Sequence, residues 1–317
     1  MEYNSKTIPL ISVVMPTYNG ELYIREAIDS ILSQTFANFE FIIVDDGSTD
    51  NTEQIVKKYT EKDSRIIFYH RPKDRPKGPN AARNFGIENS VGEYVLSLDS
   101  DDWILPEHLD LKIKVFENNP EIDGVLSKTI MVDNDKAIIE KENRTFLTPN
   151  LLEDFVSLKI SWYMHDLMWR KSFLEGKVLY NEQLLKMLDR DFHIRRLAEH
   201  PNLLLIDEYL SLYRIHENSN SSNNNINVAE SRHNAIVNIV DALVNMKQLS
   251  NNIKFYLFKH QVQNLVVLYM HPSCFSLYLK LIKKTFIFRI DYLKWFLKLI
   301  IGFCSFKIFS KGLRFIQ

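Results

Sequence analysis

Three carboxylates follow a short apolar stretch near residue 100. Asp99, Asp101 and Asp102 come directly after the mainly apolar residues 94–98. A run of this kind indicates a buried strand, and ligands bind at strand ends in open α/β sheets. Clustered carboxylates repel one another unless a cation lies between them, and Mg²⁺ or Mn²⁺ carrying substrate phosphates would meet that need. The pattern indicates a divalent-cation site, with an acidic surface loop capping a helix near Glu107 as the alternative.

A second acidic loop, with Asp45, Asp46 and Asp50, follows the mainly apolar residues 39–44. Such residues also form ordinary turns and helix caps, so this loop has a structural interpretation beside the functional one. Counted from Asp99, the position where a calcium EF-hand requires glycine is Ile104. The sequence has no Walker A lysine loop and no GxGxxG turn, which argues against P-loop phosphoryl transfer and dinucleotide redox chemistry.

Strands and helices alternate through the N-terminal half. Apolar runs predict strands at residues 8–15, 39–44, 65–69 and 94–98, and helical spacing predicts helices from Glu21, from Asn51 or Thr52, and over 81–88. This alternation predicts βαβ units and a parallel sheet. The carboxyl ends of its strands would bring both acidic loops to one edge.

Residues 118–186 are less regular. We predict strands at 124–127 and 129–132, a polar hairpin or loop at 133–143, and either a pocket wall or core for the aromatic stretch 162–169. Apolar spacing predicts a helix around residues 188–197 and a last core strand at 203–206. An Asn/Ser-rich loop or linker follows at 219–227.

The formal net charge of −1 hides an asymmetry. Residues 251–317 hold eleven Lys and Arg against one acid, Asp291, whereas the preceding residues hold 28 basic and 39 acidic side chains. Such a split indicates an anionic surface as the partner of the basic part. The two cysteines, Cys274 and Cys304, provide neither a disulfide framework nor metal-ligand spacing, and the polar N-terminus has no secretory apolar region. We therefore expect a cytoplasmic catalytic part.

Six stretches together resemble family 2 glycosyltransferases, which use nucleotide sugars and have the GT-A fold. They are residues 12–19 (SVVMPTYN), 30–35 (SILSQT), 44–52 (VDDGSTDNT), 80–86 (NAARNFG), 98–102 (LDSDD) and 213–216 (YRIH). They occur in the family's order over about the first two-thirds of the chain. The resemblance implies an α/β GT-A fold, Rossmann-like with a mostly parallel sheet flanked by helices, followed here by a C-terminal helical appendage.

The resemblance also assigns roles in donor binding. The turn Pro16, Thr17, Tyr18 and Asn19 and the carboxylate of Asp46 match the nucleotide-base pocket, where Tyr18 would stack on uracil and Asp46 would accept its imide hydrogen. Asn80, Arg83, Asp99 and Ser100 match other nucleotide-sugar contacts, and Arg83 matches the arginine that faces the diphosphate. The residues around Asp99 match the DxD motif.

Mn²⁺ or Mg²⁺ is the implied cofactor. The resemblance makes Asp101 its direct ligand, with Asp99 nearby, and gives His216 two readings: a residue that approaches the metal or diphosphate, or a structural histidine. Asp189 matches the general base. The usual acid pair is reduced here to Leu188-Asp189, with Asp191 two residues later, so Asp191 is the second choice. The two carboxylates point to different sides of a helix.

The C-terminal stretch is basic and aromatic. Lys280, Lys284, Lys294 and Lys298 recur at near-helical intervals among Trp, Phe, Leu and Ile. This pattern is typical of a helix lying in a membrane interface, and the alternative is a helix packed on the catalytic domain with its lysines in water. A spanning helix is not expected, because the longest run without charge is broken by Gln263, Asn264 and Pro272.

The sequence thus predicts a GT-A catalytic domain over residues 1–220, with donor binding in about 1–105 and acceptor binding in about 106–220, and a membrane-associating region over 221–317. The predicted activity is inverting, metal-dependent, hexosyltransferase-type transfer from a UDP-sugar to a glycan or lipid-linked acceptor, in bacterial surface-polysaccharide synthesis at the inner face of the cell membrane. No nucleic-acid partner is expected. GDP- or dTDP-sugars are the alternative donors, and a catalytically weak nucleotide-sugar-binding or partner-binding module is the alternative function.

Overall fold

The computed structural model describes residues 10–141, 148–216 and 226–268. The chain divides into two compact units. One unit takes Met1–Leu147, Ser161–Glu182 and Pro201–Ser219, and the other takes Thr148–Ile160, Gln183–His200 and Asn220–Gln317. The domain boundary expected at residue 220 remains a prediction.

The first unit begins with alternating strands and helices, as the sequence predicts. The elements are β1 (Ile11–Thr17), α1 (Ile24–Leu32), β2 (Phe39–Asp45), α2 (Thr52–Thr60), β3 (Ile66–His70), α3 (Pro79–Glu88) and β4 (Tyr94–Ser97). The four strands are parallel in the order β3-β2-β1-β4, with Val13 of β1 opposite Phe41 of β2 and Leu96 of β4. The acidic loops after β2 and β4 therefore lie at one edge of the sheet, where the carboxyl ends of the strands meet.

Burial on both faces explains the continuous apolar runs of the central strands. Every residue of β1 and β2 is buried, as expected when helices cover both faces of a parallel sheet. Gly86 lets α3 approach this sheet closely, because a Cβ at residue 86 would overlap Val14 Cγ1 and lie 3.3 Å from Val44 Cγ2. The close approach positions the polar face of α3 beside the strand ends.

The rest of the first unit extends the sheet with strands of mixed direction. The elements that follow along the chain are β5 (Trp103–Ile104), α4 (His108–Asn118), β6 (Gly124–Val132), β7 (Ile138–Lys141), α5 (Leu151–Val156), β8 (Leu167–Arg170), α6 (Lys171–Leu174), α7 (Leu188–Leu197) and β9 (Leu203–Arg214). Of these, α5 and α7 belong to the second unit. β8 runs antiparallel to both β4 and β6, and β9 runs parallel to β6. β5 pairs antiparallel with β9, and β7 pairs antiparallel with β6. Together these strands and helices give the α/β GT-A architecture.

Two predicted strand boundaries are wrong. The strands expected at 124–127 and 129–132 are one strand, β6, and the strand expected at 203–206 continues to Arg214 as β9. Asp207 and Glu208 interrupt the apolar pattern, but both are exposed where the pairing between β6 and β9 shifts register. An irregularity of this kind admits charged side chains without ending the strand. The extension places residues 213 and 214 in the sheet.

The second unit is helical where the structure describes it. It contains α5, α7, α8 (Ile226–Asn245) and α9 (Asn251–Leu268). The Arg190 guanidinium donates to the Val156 carbonyl over 3.0 Å, and Ser231 Oγ accepts the backbone N–H of Leu185 over 2.7 Å. No helix among the described residues has the length and apolar character to cross a membrane. The interfacial helices predicted around Lys280–Lys298 lie outside the described residues.

A buried lysine on α4 makes stability depend on pH. Lys112 is fully buried, and its Nζ donates to the Asp166 carbonyl over 2.5 Å. Burial lowers the pKa of Lys112 from its ordinary value of 10.5 to about 7. Between pH 7 and 10 the unfolded chain therefore holds a proton that the folded chain lacks, so stability rises with pH.

We expect Lys112→Met to remove this pH dependence. Relative to the variant, the free energy of unfolding of the unsubstituted protein should rise by up to about 1.4 kcal/mol per pH unit between pH 7 and 10. Denaturant unfolding at four pH values measures the two slopes. Lys114→Met is the control, because Lys114 lies on the same helix in an exposed pair with Asp110. Equal slopes in the unsubstituted protein and Lys112→Met would contradict the prediction.

Candidate active site

The loops after β1 and β2 are joined to each other by polar contacts. Asn19 adopts a left-handed backbone with φ of 49°, which asparagine tolerates better than most residues. Its side-chain oxygen accepts the backbone N–H of Thr49 over 2.8 Å, and its own N–H donates to Ser48 Oγ over 2.9 Å. Beside this junction the ring of Tyr18 is 46% exposed, with Lys77 Nζ 3.9 Å from its centroid. An exposed aromatic ring can stack on a planar ligand.

The acids after β2 divide into two kinds. Asp45 accepts hydrogen bonds from the backbone of Gly47 and Ser48, which is the turn arrangement that the sequence left open. Asp46 is almost fully buried and forms an ion pair with the guanidinium of Arg71. Sequence reasoning missed Arg71, because an arginine in a Pro/Lys-rich loop gives no periodic pattern. Asp46 is thus held beside the Tyr18 loop as a rigid hydrogen-bond acceptor.

The first two residues of the predicted base-pocket turn belong to the strand instead. Pro16 and Thr17 are the last residues of β1, both buried, and Pro16 lies opposite Val44 of β2. Thr17 Oγ1 is buried without a hydrogen-bond partner in the described part of the chain. Of the four residues of the predicted turn, Tyr18 and Asn19 alone are exposed. A ligand would therefore meet Tyr18 and Asn19 first.

Arg83 of α3 reaches the acidic turn after β4. Its guanidinium forms an ion pair with Asp99 and packs 5.6 Å from the ring centroid of Tyr180. Asn80, one turn earlier, accepts from Arg83 over 3.4 Å and donates to the Asn181 carbonyl over 2.7 Å. Because the Arg83 side chain is only 5% exposed, it presents a fixed positive charge at this edge.

Asp101 and His216 come together at the same turn. His216 Nε2 lies 3.0 Å from Asp101 Oδ2, although 115 residues separate them. The Asp101 side chain is 37% exposed and half-buried Ser100 lies next to it, whereas His216 is 6% exposed. His216 Nδ1 is buried without a hydrogen-bond partner among the described residues. The ends of strands β4 and β9 thus bring a carboxylate and an imidazole close together.

The donor set fits a divalent cation that also binds phosphate. No group of three or more His, Cys, Asp or Glu side chains in residues 10–141, 148–216 and 226–268 is arranged to hold a metal ion by itself. Asp101 and His216 offer one oxygen and one nitrogen, while Asp99 is engaged by Arg83. Mg²⁺ is typically held by one or two protein carboxylates together with water and substrate phosphates. Two protein ligands are therefore compatible with a cation carried by a phosphorylated substrate.

A buried polar cluster lies behind the carboxylate turn. Asp102 is 2% exposed; it accepts the backbone N–H of Arg214 over 2.9 Å and lies 3.4 Å from His165 Nδ1. Burial raises the pKa of Asp102 to about 7. Burial lowers the pKa of His165, but its contact with Asp102 outweighs this effect and raises it. The pair therefore lies buried directly behind the carboxylate turn.

The predicted base lies on a helix of the second unit. Asp189 and Asp191 are both in the first turn of α7, but their surroundings differ. Asp191 has a 1% exposed side chain and forms an ion pair with Arg195 over 2.7 Å, whereas Asp189 is partly exposed. Burial raises the pKa of Asp191 in spite of Arg195. The two carboxylates do point to different sides of the helix.

Comparison with known proteins identifies the family. The model described as glycosyl transferase family 2 matches residues 12–175. This chain is a family 2 glycosyltransferase. It is 36% identical over 215 residues to an uncharacterized glycosyltransferase of Methanocaldococcus jannaschii, across 67% of this chain and 73% of the relative. It is 30% identical over 222 residues to an uncharacterized glycosyltransferase, EpsJ, of Bacillus subtilis, across 68% of this chain and 63% of the relative.

Solved structures confirm the fold of this glycosyltransferase. The crystal structure of S. aureus TarS in complex with UDP-GlcNAc superimposes with a TM-score of 0.68 at 24% identity, over 94% of this chain and 87% of that one. The mannosyltransferase PcManGT of Pyrobaculum calidifontis, in complex with GDP-Man and Mn²⁺, gives 0.54 at 14% identity, over 98% and 86%. Both similarities support the GT-A α/β architecture.

Proposed function

We propose that this glycosyltransferase moves a sugar from a UDP-sugar to a hydroxyl of a glycan or lipid-linked acceptor, with a divalent cation and with inversion at the anomeric carbon. The observation that carries the proposal is the meeting of Asp101 with His216 at the sheet edge that also holds Arg83 and Asp46. In this proposal, the edge would provide a face that binds the base, the fixed guanidinium charge of Arg83, and two metal ligands.

The nucleotide base would lie at the Tyr18 loop. The exposed Tyr18 ring offers a stacking surface, and Asp46 offers an acceptor for a ring N–H. Uracil has such an N–H, and Arg71 can donate to a carbonyl oxygen of the same ring. Guanine also carries ring N–H donors, so the choice between a UDP-sugar and a GDP-sugar rests on the fit of the ring. The UDP-GlcNAc complex of the structural neighbour TarS favours a UDP-sugar.

The leaving diphosphate would meet positive charge at the carboxylate turn. Arg83 is held rigid by Asp99 and Asn80, so its charge needs no reorganisation as the sugar–phosphate bond breaks. Asp101 and His216 are the residues that would hold Mn²⁺ or Mg²⁺, which when bound supplies positive charge to the diphosphate oxygens. The Mn²⁺ present in the PcManGT complex supports the choice of metal.

Asp189 is the proposed general base. A base must be free to approach the acceptor hydroxyl and take its proton as that oxygen attacks. Asp189 is partly exposed, whereas Asp191 is buried and engaged by Arg195. A carboxylate on the face of the sugar opposite the diphosphate gives inversion. The environments of the two acids therefore support Asp189 over Asp191.

The proposed lipid-linked acceptor is supported by the charge of the C-terminal region and not by the geometry of the site. Residues 251–317 carry eleven Lys and Arg against one acid, a composition that suits the anionic inner face of a cell membrane. A lipid-linked sugar presented there, as in surface-polysaccharide synthesis, would explain a cytoplasmic enzyme bound peripherally through this region. Co-sedimentation with anionic vesicles, with and without residues 269–317, tests the association.

Nucleotide-diphosphate release from a panel of UDP-, GDP- and dTDP-sugars tests the reaction. With Mn²⁺ and a membrane lipid extract, we expect release from one UDP-sugar, loss of release in EDTA, and a product of inverted anomeric configuration. Release from a GDP- or dTDP-sugar alone would reassign the donor. Metal-dependent binding of nucleotide without release from any donor would overturn the enzymatic proposal in favour of a binding module.

A further inference from the structure

Two hydrogen bonds connect the acidic turn to the end of β9 in a reciprocal way. The Asp102 carboxylate accepts the backbone N–H of Arg214 over 2.9 Å. The Arg214 side chain in turn donates from Nε to the backbone carbonyl of Asp101 over 3.1 Å. Each segment thus holds the backbone of the other through a side chain. We call this pair of bonds the Asp102–Arg214 clasp.

The Arg214 guanidinium is enclosed on several sides. Its side chain is 2% exposed, with Cζ 4.5 Å from the Trp103 ring centroid and 4.6 Å from that of Tyr23. Glu26 Oε1 lies 3.4 Å from one terminal nitrogen. A cation that lies over two rings and near a carboxylate is stabilised inside the protein, although Arg214 Nη2 has no hydrogen-bond partner among the described residues. Because its side chain is buried, the Arg214 guanidinium cannot contact a substrate. Any effect of Arg214 on the reaction must therefore pass through the residues that it contacts.

The residues that the clasp joins are neighbours of the proposed metal ligands. Asp101 is the residue whose carbonyl Arg214 holds, and His216 is two residues beyond Arg214. The His216 ring is also 4.8 Å from the Tyr23 ring that stacks on Arg214. Any shift of β9 against the turn would change the 3.0 Å separation between Asp101 Oδ2 and His216 Nε2.

We propose that Arg214 is a positioning residue, which through the Asp102–Arg214 clasp presets the distance between Asp101 and His216 at which a divalent cation binds. The inference rests on the proposed metal-dependent function and adds a residue to it. Groups that orient metal ligands typically affect metal affinity by about 10–100-fold when they are replaced. Lysine cannot substitute fully, because it lacks the planar fork that stacks and donates from Nε at once.

Mn²⁺ binding in the presence of saturating UDP tests the inference, measured by electron paramagnetic resonance of free Mn²⁺. We expect Arg214→Met to weaken Mn²⁺ binding by about 10–100-fold, and Arg214→Lys to restore part of it. UDP affinity in EDTA should stay unchanged in both variants, because the base-binding loops do not contact Arg214. A general loss of structure would lower both affinities together.

Arg65→Met is the matched control. Arg65 also pairs with a carboxylate, Asp63, at 2.7 Å and stacks on an aromatic ring, Phe39, at 4.3 Å, but it precedes β3 at the opposite edge of the sheet. The Arg65→Met variant should therefore bind Mn²⁺ as tightly as the unsubstituted protein. If Arg214→Met does not fold, Tyr23→Leu removes one of the two rings that lie against the Arg214 guanidinium, and we expect weaker Mn²⁺ binding from it as well.

The possible outcomes distinguish failure of the proposed metal-dependent function from failure of the positioning role of Arg214. If the unsubstituted protein binds no Mn²⁺ with UDP, the proposed metal-dependent function fails. If it binds Mn²⁺ and folded Arg214→Met, or Tyr23→Leu in its place, binds equally well, the function stands and the positioning role of Arg214 is overturned.

Discussion

Replacing Asp101 with asparagine is expected to lower kcat for sugar transfer by about 10²–10³-fold, the loss typical of removing one group that helps to stabilise the charge developing in the transition state. Asparagine keeps the size of the side chain but removes the charge that faces His216 at 3.0 Å. The Mn²⁺ concentration needed for half-maximal rate should rise as well. Steady-state kinetics across a Mn²⁺ titration measures both effects.

Asp110→Asn is the control for Asp101→Asn. Asp110 lies on α4 in an exposed pair with Lys114 at 2.7 Å, so the substitution removes the same charge without touching the acidic turn. It should leave kcat and the Mn²⁺ dependence unchanged. Equal activity in Asp101→Asn and Asp110→Asn would exclude Asp101 as a metal ligand.

Replacing Asp189 with asparagine is expected to reduce kcat by about 10²–10⁴-fold, the usual contribution of a general base. Donor KM and the free energy of unfolding should change little, because Asp189 is partly exposed. Steady-state rates at saturating donor, together with denaturant unfolding, test this expectation.

Asp191→Asn should show the opposite pattern. Asp191 is buried against Arg195 at 2.7 Å, and removing one partner of a buried pair costs about 3–5 kcal/mol of stability. The folded fraction should keep its kcat. A stable Asp191→Asn variant without turnover, beside an active Asp189→Asn variant, would reverse the assignment of the base.

The N-terminal half of the fold could be predicted from local sequence alone. Apolar runs and helical spacing predicted β2 to within one residue and α1 in its register, because burial on both faces favours apolar side chains at most positions of a central strand. The buried exceptions, Ser12 and Glu40, hydrogen-bond to each other. The strand ends then indicated where the site lies. This is the part of the chain whose structure depends least on distant partners.

The second half depends on distant pairing, which local patterns do not report. β9 continues past Asp207 and Glu208 because it pairs with β6 and β5. That extension is what carries His216 to Asp101. The aromatic stretch 162–169, left open as pocket wall or core, places Trp162 and Trp169 in the core.

The missed residues share one physical property. Arg71, Arg214 and His165 are charged or polar side chains that act by contacting other residues far along the chain. Arg214 lies inside the YRIH stretch and His165 inside the aromatic stretch, so both were within motifs that the sequence singled out. Their partners, however, become visible only when the strands are placed side by side.

Anomalous diffraction from a crystal containing Mn²⁺ and UDP tests the central claim most directly. The proposed site predicts one Mn²⁺ peak at coordination distance from Asp101 and His216, with the diphosphate beside Arg83 and the base on Tyr18. A Mn²⁺–UDP complex that contacts neither Asp101 nor His216 would contradict it.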